Sequence, residues 1–490
     1  MGTGRVDSRG FLAIVATLLA MLAMPSLAAG RAGALDPDFD GDGKVVAFLP
    51  QPDRVGSYPG YGLPFEFAPG YVAVAEAPGE KLVVADSQAI VEFGPDGTRE
   101  QAFGNNGAVQ IEQINGVDFQ LADVAVDSRG RVLIAGTTGN TDGIGMATDG
   151  VGMGGEQAPQ GPVPSIGTVR RYLPNGAPDP SFGTGGVVRS YFGAAPATFE
   201  GRAYPDPAVS LIGLSVDEND RPVVTGSRVV AVGYCKPITP PLQATEAFVI
   251  RLVDDGTADP SFNAGAALAI NRLSWLRLPT PTPAHLFGIG ASANLCPGTA
   301  EPSIIDIGDS GPNSAFGGDG FWSPRPFTRI YDLAVAPGGK IVLLARTAER
   351  SHDKWVESAG TAIRLRSDGS LDPSFGHRGE ARLELPKRSS IAAIATDRKG
   401  NVLLAGTVVR KPRHRSQRYP EFLLMRTTAK GYLDRRFGDH GRVSTGFGRA
   451  PNVRASTVLV DQANRIVVGG RFTGPSGGNA FALARYLGGR

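Results

Sequence analysis

Five cationic side chains crowd into ten residues at Arg410-Lys411-Pro412-Arg413-His414-Arg415-Ser416-Gln417-Arg418-Tyr419, on a chain whose formal charge is only +2. Such a run creates a local positive field that a balanced surface lacks. Arg413, Arg415 and Arg418 carry planar guanidinium forks that match phosphate or carboxylate oxygens in pairs. Pro412 restricts the backbone and Tyr419 offers a stacking surface, which lowers the ordering cost of binding. The chemistry expected of this stretch is capture of a polyanion by Arg410, Lys411, Arg413, His414, Arg415, Arg418 and Tyr419; a merely solvated loop is the alternative. A second set of groups is acidic: Asp53, Glu66, Glu200, Asp206, Glu246, Glu349, Asp353 and Glu357. If loop geometry brought two of these together, they could act as general acid and base on an extracellular polymer.

Other constellations are weaker. Asp36, Asp38, Asp40 and Asp42 follow the alternating pattern of a calcium loop but lack its distal Glu, so calcium stays a possible ligand and no cofactor is required. Five histidines are scattered: His377 and His440 fall in turns, His285 starts a strand, and His352 and His414 lie in loops, which gives no metal-ligand spacing. Gly308-Asp309-Ser310-Gly311-Pro312 resembles a serine-protease nucleophile stretch but aligns with an ordinary turn. Gly474-Pro475-Ser476-Gly477-Gly478 lacks the strand-to-helix elbow, and the glycines from Gly150 to Gly155 lack a following helix. Cys235 and Cys296 are the only cysteines. Both follow a second strand, in adjacent repeats, so they are expected to sit on equivalent loops and form a disulfide.

What must position these groups is a repeat. Variants of Leu371-Asp-Pro-Ser-Phe-Gly376 place a Phe at 39, 103, 182, 262, 316, 375 and 437, at spacings of 64, 79, 80, 54, 59 and 62 residues. Self-similarity of that period means an array of small supersecondary units rather than several independent domains. The 67 Gly and 38 Pro suit short strands and tight turns, and with 20% charged residues neither a disordered polyelectrolyte nor a globally basic nucleic-acid binder is indicated. Residues 1–29 read as a signal peptide, with Arg5 and Arg9 before an apolar run and small residues at Ala28-Ala29. The expected location is therefore secreted or periplasmic, and no further run is long enough to span a bilayer.

Within a unit, Leu121–Asp127, the turn Ser128-Arg129-Gly130, Arg131–Thr137, Gly167–Leu173 and Gly186–Phe192 make four strands, the content of a propeller blade. The expected architecture is an all-β, seven-bladed propeller of four-stranded antiparallel blades over residues 30–490. Blades are expected near 71–112, 121–192, 211–271, 275–324, 330–385, 391–447 and 455–487. The fourth is irregular because Pro279-Thr-Pro-Thr-Pro283 replaces the usual Asp-x-x-Gly turn. The last unit ends without a fourth strand, whereas Leu35–Phe48 is a Phe element plus a strand with no blade before it. The closing strand 43–48 is therefore expected on the edge of the C-terminal blade.

The elements Leu-Asp-Pro-Ser-Phe-Gly, Ala-Val-Asp-x-x-Gly-Arg-Val-Leu-Ile-Ala-Gly-Thr and Phe-Ala-Leu-Ala-Arg-Tyr, running from Leu35 to Leu487, resemble the delta-60 repeat of secreted bacterial proteins. The resemblance implies a β-propeller and transfers no catalytic residue. Blade 1, with Val83-Val-Ala-Asp86 and Ile90–Gly97, is also similar to NHL-type repeats, whose members are mostly binding platforms. Short, uniform turns on one face of the ring read as structural. Long connections, at 51–70, 138–166, 193–210, 228–246, 347–360 and 408–420, gather on the other, so function is expected there. A binding or scaffold module for a protein or polyanionic glycan, with no specific nucleic-acid recognition and no membrane span, is the expected role. A hydrolase or lyase with carboxylates at the channel mouth is the alternative.

Overall fold

The computed structural model describes residues 31–48, 72–113, 119–139, 165–193, 197–199, 202–204, 208–235, 238–270, 272–273, 275–277, 286–292, 301–324, 328–351, 354–357, 360–411, 418–474 and 479–489. Seven antiparallel blades, each built on four strands, follow one another around a ring; six take their strands from one stretch of chain and the seventh takes its outer strand from the N-terminal segment. Blade 1 consists of Ala73–Ala77, Lys81–Ala85, Ala89–Phe93 and Ala108–Gln110. Blade 2 consists of Phe119–Val126, Val132–Gly139, Ser165–Tyr172 and Val187–Ser190. Blade 3 has Val209–Val216, Pro222–Cys235, Ile238–Arg251 and Leu268–Ile270, and blade 5 has Thr328–Ala336, Lys340–Ser351, Thr361–Leu365 and Glu380–Arg382. In blade 4, the strands Trp275–Arg277, Leu286–Ser292 and Glu301–Gly308 are followed by two short outer pieces, Gly311–Pro312 and Phe321–Trp322, both paired with the third strand. Blade 6 has Ser389–Thr396, Val402–Arg410, Tyr419–Thr427 and Arg442–Thr445. Among the described residues no helix is long and apolar enough to cross a membrane.

Blade 7 is closed as its missing strand requires. Lys44–Phe48 pairs antiparallel with Asn479–Leu487, from Lys44 opposite Ala484 to Phe48 opposite Ala480, outside Arg465–Thr473 and Asn452–Val460. The turn that should follow the third strand is built from both chain ends, with Gly33 donating to the Leu487 carbonyl and Leu487 to that of Ala34.

Each blade is buried on both faces by its neighbours, which is why strands two and three read as unbroken apolar runs. Leu82 to Ala85 and Leu403 to Ala405 are all inaccessible. Strand one is bulged in blades 2, 3, 5, 6 and 7, after Leu121, Leu211, Ile330, Ile391 and Ala455. The bulge presses a carbonyl onto strand two, so a Cβ at Gly136 or Gly406 would overlap the oxygen of Gln120 or Ser390. This accounts for the recurring Ala-Gly-Thr.

The repeated element buckles adjacent blades together. All seven Phe side chains are at most 1% exposed. In blades 2, 3, 5 and 6 an Arg of strand three, eight residues before the element's Asp, lies over the Phe ring and pairs with the Asp, and in blade 7 Arg485 does so with Phe39 and Asp36. Arg171 stands 4.5 Å from the Phe182 centroid and 2.8 Å from Asp179, and Arg364 repeats this with Phe375 (4.5 Å) and Asp372 (2.9 Å). The other Asp oxygen accepts the N–H two residues on, as in Ser181 to Asp179 at 3.0 Å, the Asx-turn expected of this position. The same Arg then reaches the strand three to four turn of the following blade, Arg171 to Asp254 and Arg426 to the Gly488 carbonyl. That turn's glycine, at φ +85° for Gly256, is packed against the preceding blade's Phe, where a Cβ would stand 3.1 Å from the Phe182 ring.

Candidate functional site

The faces of the ring are unequal, as expected, but three of the long connections are not open loops. Strand two of blade 3 runs on to Cys235 and strand three starts at Ile238, so most of 228–246 is an extended hairpin. The β-branched residues Val229 and Val232 continue the ladder, with Val230 at a bulge between Val229 and Ala231. Lys354–Glu357 likewise pairs back on Ala348–Ser351, and Ala197–Phe199 pairs with Arg202–Tyr204 inside the 193–210 connection.

Among the expected carboxylates, Glu246 lies on strand three of blade 3 and accepts a 2.6 Å hydrogen bond from Arg228 Nε. Arg228 also donates to the Phe192 carbonyl and faces the Phe248 ring, so Glu246 braces the root of the hairpin instead of facing a channel as an unpaired acid. Glu349 and Glu357 are placed on the short ribbon of blade 5, opposite Val356 and Ala348. Asp53, Glu66, Glu200, Asp206 and Asp353 lie outside the described residues. The calcium-like acids diverge: Asp36 turns inward to Arg485 at 2.7 Å, and Asp42 pairs with Lys44 at 2.9 Å. Among the described residues no three His, Cys, Asp or Glu are grouped to hold a metal.

The basic stretch connects strands two and three of blade 6, where Arg410 ends strand two in register with Tyr419. Lys411 and Arg418 are exposed, and Arg410, half exposed, approaches Glu421 only to 3.9 Å. Arg413, His414 and Arg415 lie outside the described residues. Residues 391–447 hold twelve Lys and Arg against four Asp and Glu, although the whole chain is +2, so the rest of the ring is net negative. Blade 6 is thus a positive sector on an otherwise acidic disc. Cys235 ends its strand opposite Ile238, and Cys296 lies outside the described residues.

Sequence reasoning missed a charged group at the axis of the ring. Asp123 and Asp332 occupy the bulge of strand one in blades 2 and 5, where other blades carry Gly213, Ala393 and Thr457. Asp332 accepts the N–H of Leu333 and, across the blade boundary, that of Ile394, each at 2.9 Å. Asp123 does the same with Val124 at 2.9 Å and Leu214 at 3.5 Å. Arg277 of blade 4 lies 3.8 Å from Asp332. Burial pushes the Asp123 carboxyl up to about 6, against the opposing pull of Arg277 and of the two amides, and burial raises Asp332 as well. Both acids are engaged in holding successive inner strands together, which is a structural role. The available signal was an acid interrupting an apolar strand at only two of seven equivalent positions.

A closed ring of seven four-stranded blades makes this protein a β-propeller. In agreement, the family model described as "Domain of unknown function (DUF5122) beta-propeller" matches residues 358–375 and 464–488, which span the third strands of blades 5 and 7. No curated protein matches the chain. Among solved structures, the polysaccharide lyase Uly1 is similar at 8% identity and a TM-score of 0.47, over 86% of this chain and 91% of that one. A polysaccharide lyase described as a PL25 ulvan lyase is similar at 10% identity and TM-score 0.37, over 78% and 81%. The gluconolactonase XC5397 from Xanthomonas campestris is similar at 13% identity and TM-score 0.34, over 94% and 99%. At such scores these likenesses carry no argument about what this chain binds or transforms.

Proposed function

We propose that the protein is an exported binding or scaffold propeller of the delta-60 repeat type that holds a polyanionic ligand, an acidic polysaccharide in the first instance, on the loop-rich end of blade 6. The observation that carries this reading is the charge surplus of blade 6, with Arg410 and Tyr419 in register at the ends of the two strands that the basic stretch connects. Arg418, together with Arg413 and Arg415, would supply paired hydrogen bonds to carboxylates or sulfates, and Tyr419 a face for a sugar ring. The competing hydrolase or lyase reading needs two unpaired carboxylates at the channel mouth. Its one candidate with a described side chain, Glu246, is bound to Arg228.

Changing Arg413, Arg415 and Arg418 together to Ser is expected to lower the salt concentration at which the protein leaves heparin or an acidic glycan column. The log–log salt slope should become shallower by about two to three, one per lost contact, with the melting temperature unchanged. Elution at the parent's salt concentration would reduce the loop to a solvated surface.

Export through the signal peptide at residues 1–29 permits a Cys235–Cys296 bridge, which would tie the extended hairpin of blade 3 to blade 4. Intact-mass analysis of unreduced, natively purified protein is expected to show no alkylatable thiol and two after reduction. Two thiols before reduction would reject the bridge.

A further inference from the structure

The buckle between blades supplies its own internal control, because related charged positions recur at several boundaries. Between blades 2 and 3, Arg131 and Arg171 are answered by Asp127 from their own blade and by Asp254 from the turn of the next, at 2.6 and 3.0 Å. Between blades 3 and 4, Arg221 and Arg251 are answered by Asp217 and Asp309, at 2.8 and 2.9 Å. Between blades 7 and 1, Arg465 is answered by Asp461 and Glu80, at 2.6 and 2.8 Å.

Between blades 5 and 6 the pattern fails on both sides. The cations remain as Lys340 and Arg364, but the local Asp is replaced by Ala336 and the turn residue is Ala429, whose carbonyl accepts from Arg364 Nη1 as those of Gly488 and Pro95 accept from Arg426 and Arg485. What sets this boundary apart is that no local or turn carboxylate answers Lys340. Blade 6 then adds Lys399 and Lys430, both exposed and without an ion-pair partner among the described residues. Four cations line a cleft of about 280 Å³ whose walls include Ala336, Ser374 and Ala429, and one carboxylate, Asp372, lies behind Lys340 and Arg364. Asp372 accepts from Lys340 and Arg364 at 2.9 Å each, so its charge is spent on those two. Although burial works to raise its pKa, the Ser374 hydroxyl and Lys340 hold it well below the usual carboxylate range, so it stays ionised and cannot offset Lys399 and Lys430.

Between blades 1 and 2 the equivalent Lys81 is answered by Glu92 and Glu100, at 3.6 and 3.0 Å. Unanswered like charge costs stability, and of these five boundaries one bears it. We infer that the cleft between blades 5 and 6 is a binding site for a single tetrahedral oxyanion, the sulfate or phosphate ester of a sugar, which completes the charge balance that Asp127 and Asp254 supply elsewhere. The cleft volume suits a monosaccharide-sized fragment, below the range of drug-sized pockets. It opens on the short-turn face, away from Arg410 and Tyr419, where the blade 6 basic stretch begins and ends, so the inference does not rest on the proposed polyanion site.

The test is calorimetric titration of the intact mature protein with galactose 6-sulfate and glucose 6-phosphate at an ionic strength fixed by KCl. Saturable binding of at least one ester is expected, with the preferred ester naming the source of the oxyanion. Two variants should weaken it tenfold or more: Lys399→Gln with Lys430→Gln, which removes the unanswered charge, and Ala429→Asp, which restores the missing carboxylate. Ala429→Asp should also unfold at a temperature no lower than the parent's in low salt, and the Arg413/Arg415/Arg418 variant should bind the esters normally. Absence of binding to the parent beyond the chloride background overturns the inference, as does equal affinity in parent and folded variants.

Discussion

Deleting residues 31–48 is expected to cost the protein its cooperatively folded state. The segment contributes Phe39, Val45 and Ala47, all at most 5% exposed, to the cluster that packs blade 7 on blade 1 through Phe481 and Leu483. It also supplies Asp36, the partner of Arg485, which is 1% exposed. Deleting a buried Phe costs about 3–5 kcal/mol, and stranding a buried guanidinium without its carboxylate a further ~3–5 kcal/mol. Together these rival the whole stability of an ordinary domain, about 5–15 kcal/mol. The backbone of Asn479–Leu487 would in addition lie open along its length, an edge prone to pairing with another chain. Ala32 matters as well, since its carbonyl accepts the Gly438 N–H where other blades use the next blade's turn, as Lys430 does for Gly376. Light scattering should therefore show aggregates or oligomers, and thermal unfolding should lose its single transition. A truncated protein with the parent's oligomeric state and stability would remove the basis for closure by the N-terminal strand.

That closure was readable because a repeat makes omissions visible: a unit without a fourth strand at one end and a fourth strand without a unit at the other. The Phe positions and the Asp-x-x-Gly turns were legible for the same reason, since each reports a local backbone requirement. Contacts that need the chain to fold back were not. Arg171 and Asp179 are eight residues apart and meet only when the turn after strand three returns along the blade. Lys340, Arg364, Lys399 and Lys430 are spread over ninety-one residues and converge only because blades 5 and 6 are neighbours. The connection 228–246 was misread as a loop because its glycine and prolines masked a continuing ladder, and only the register of Val229 with Thr245 and Val232 with Gln243 shows it to be strand. Asp123 and Asp332 were hidden in apolar strands, where the bulge that gives them amide partners has no signature in residue type.

The second large effect is expected at the buckle itself. Arg171 is 1% exposed and serves four partners at once: Asp179 and the Ser181 hydroxyl of its own blade, Asp254 of the next, and the Phe182 ring beneath it. Arg171→Met keeps most of the volume over the ring but leaves Asp179, a 4% exposed side chain, without its close counter-charge and with only Arg131, at 3.9 Å, beside it. Breaking one half of a buried pair costs about 3–5 kcal/mol, whereas replacing both halves by uncharged groups of similar size is far milder. Arg171→Met combined with Asp179→Asn should therefore recover much of the loss, and a double-mutant cycle in denaturant should give a coupling of about 1–3 kcal/mol. The pH dependence carries the same sign at several boundaries. Burial alone would raise the Asp259 carboxyl, yet Ser261 and Arg251 hold it at about 2, and Asp179 is likewise held below its ordinary value. Folded values below the unfolded one, about 3.9, mean that this stabilisation is present above pH ~4 and is lost as the pH falls through ~2. The parent should consequently lose stability steeply over that interval, and the Arg171→Met, Asp179→Asn protein less steeply by the share of one boundary. Additive single-variant losses with an unchanged acid slope would show that the Arg–Asp pair is a bystander and that Phe packing alone joins the blades.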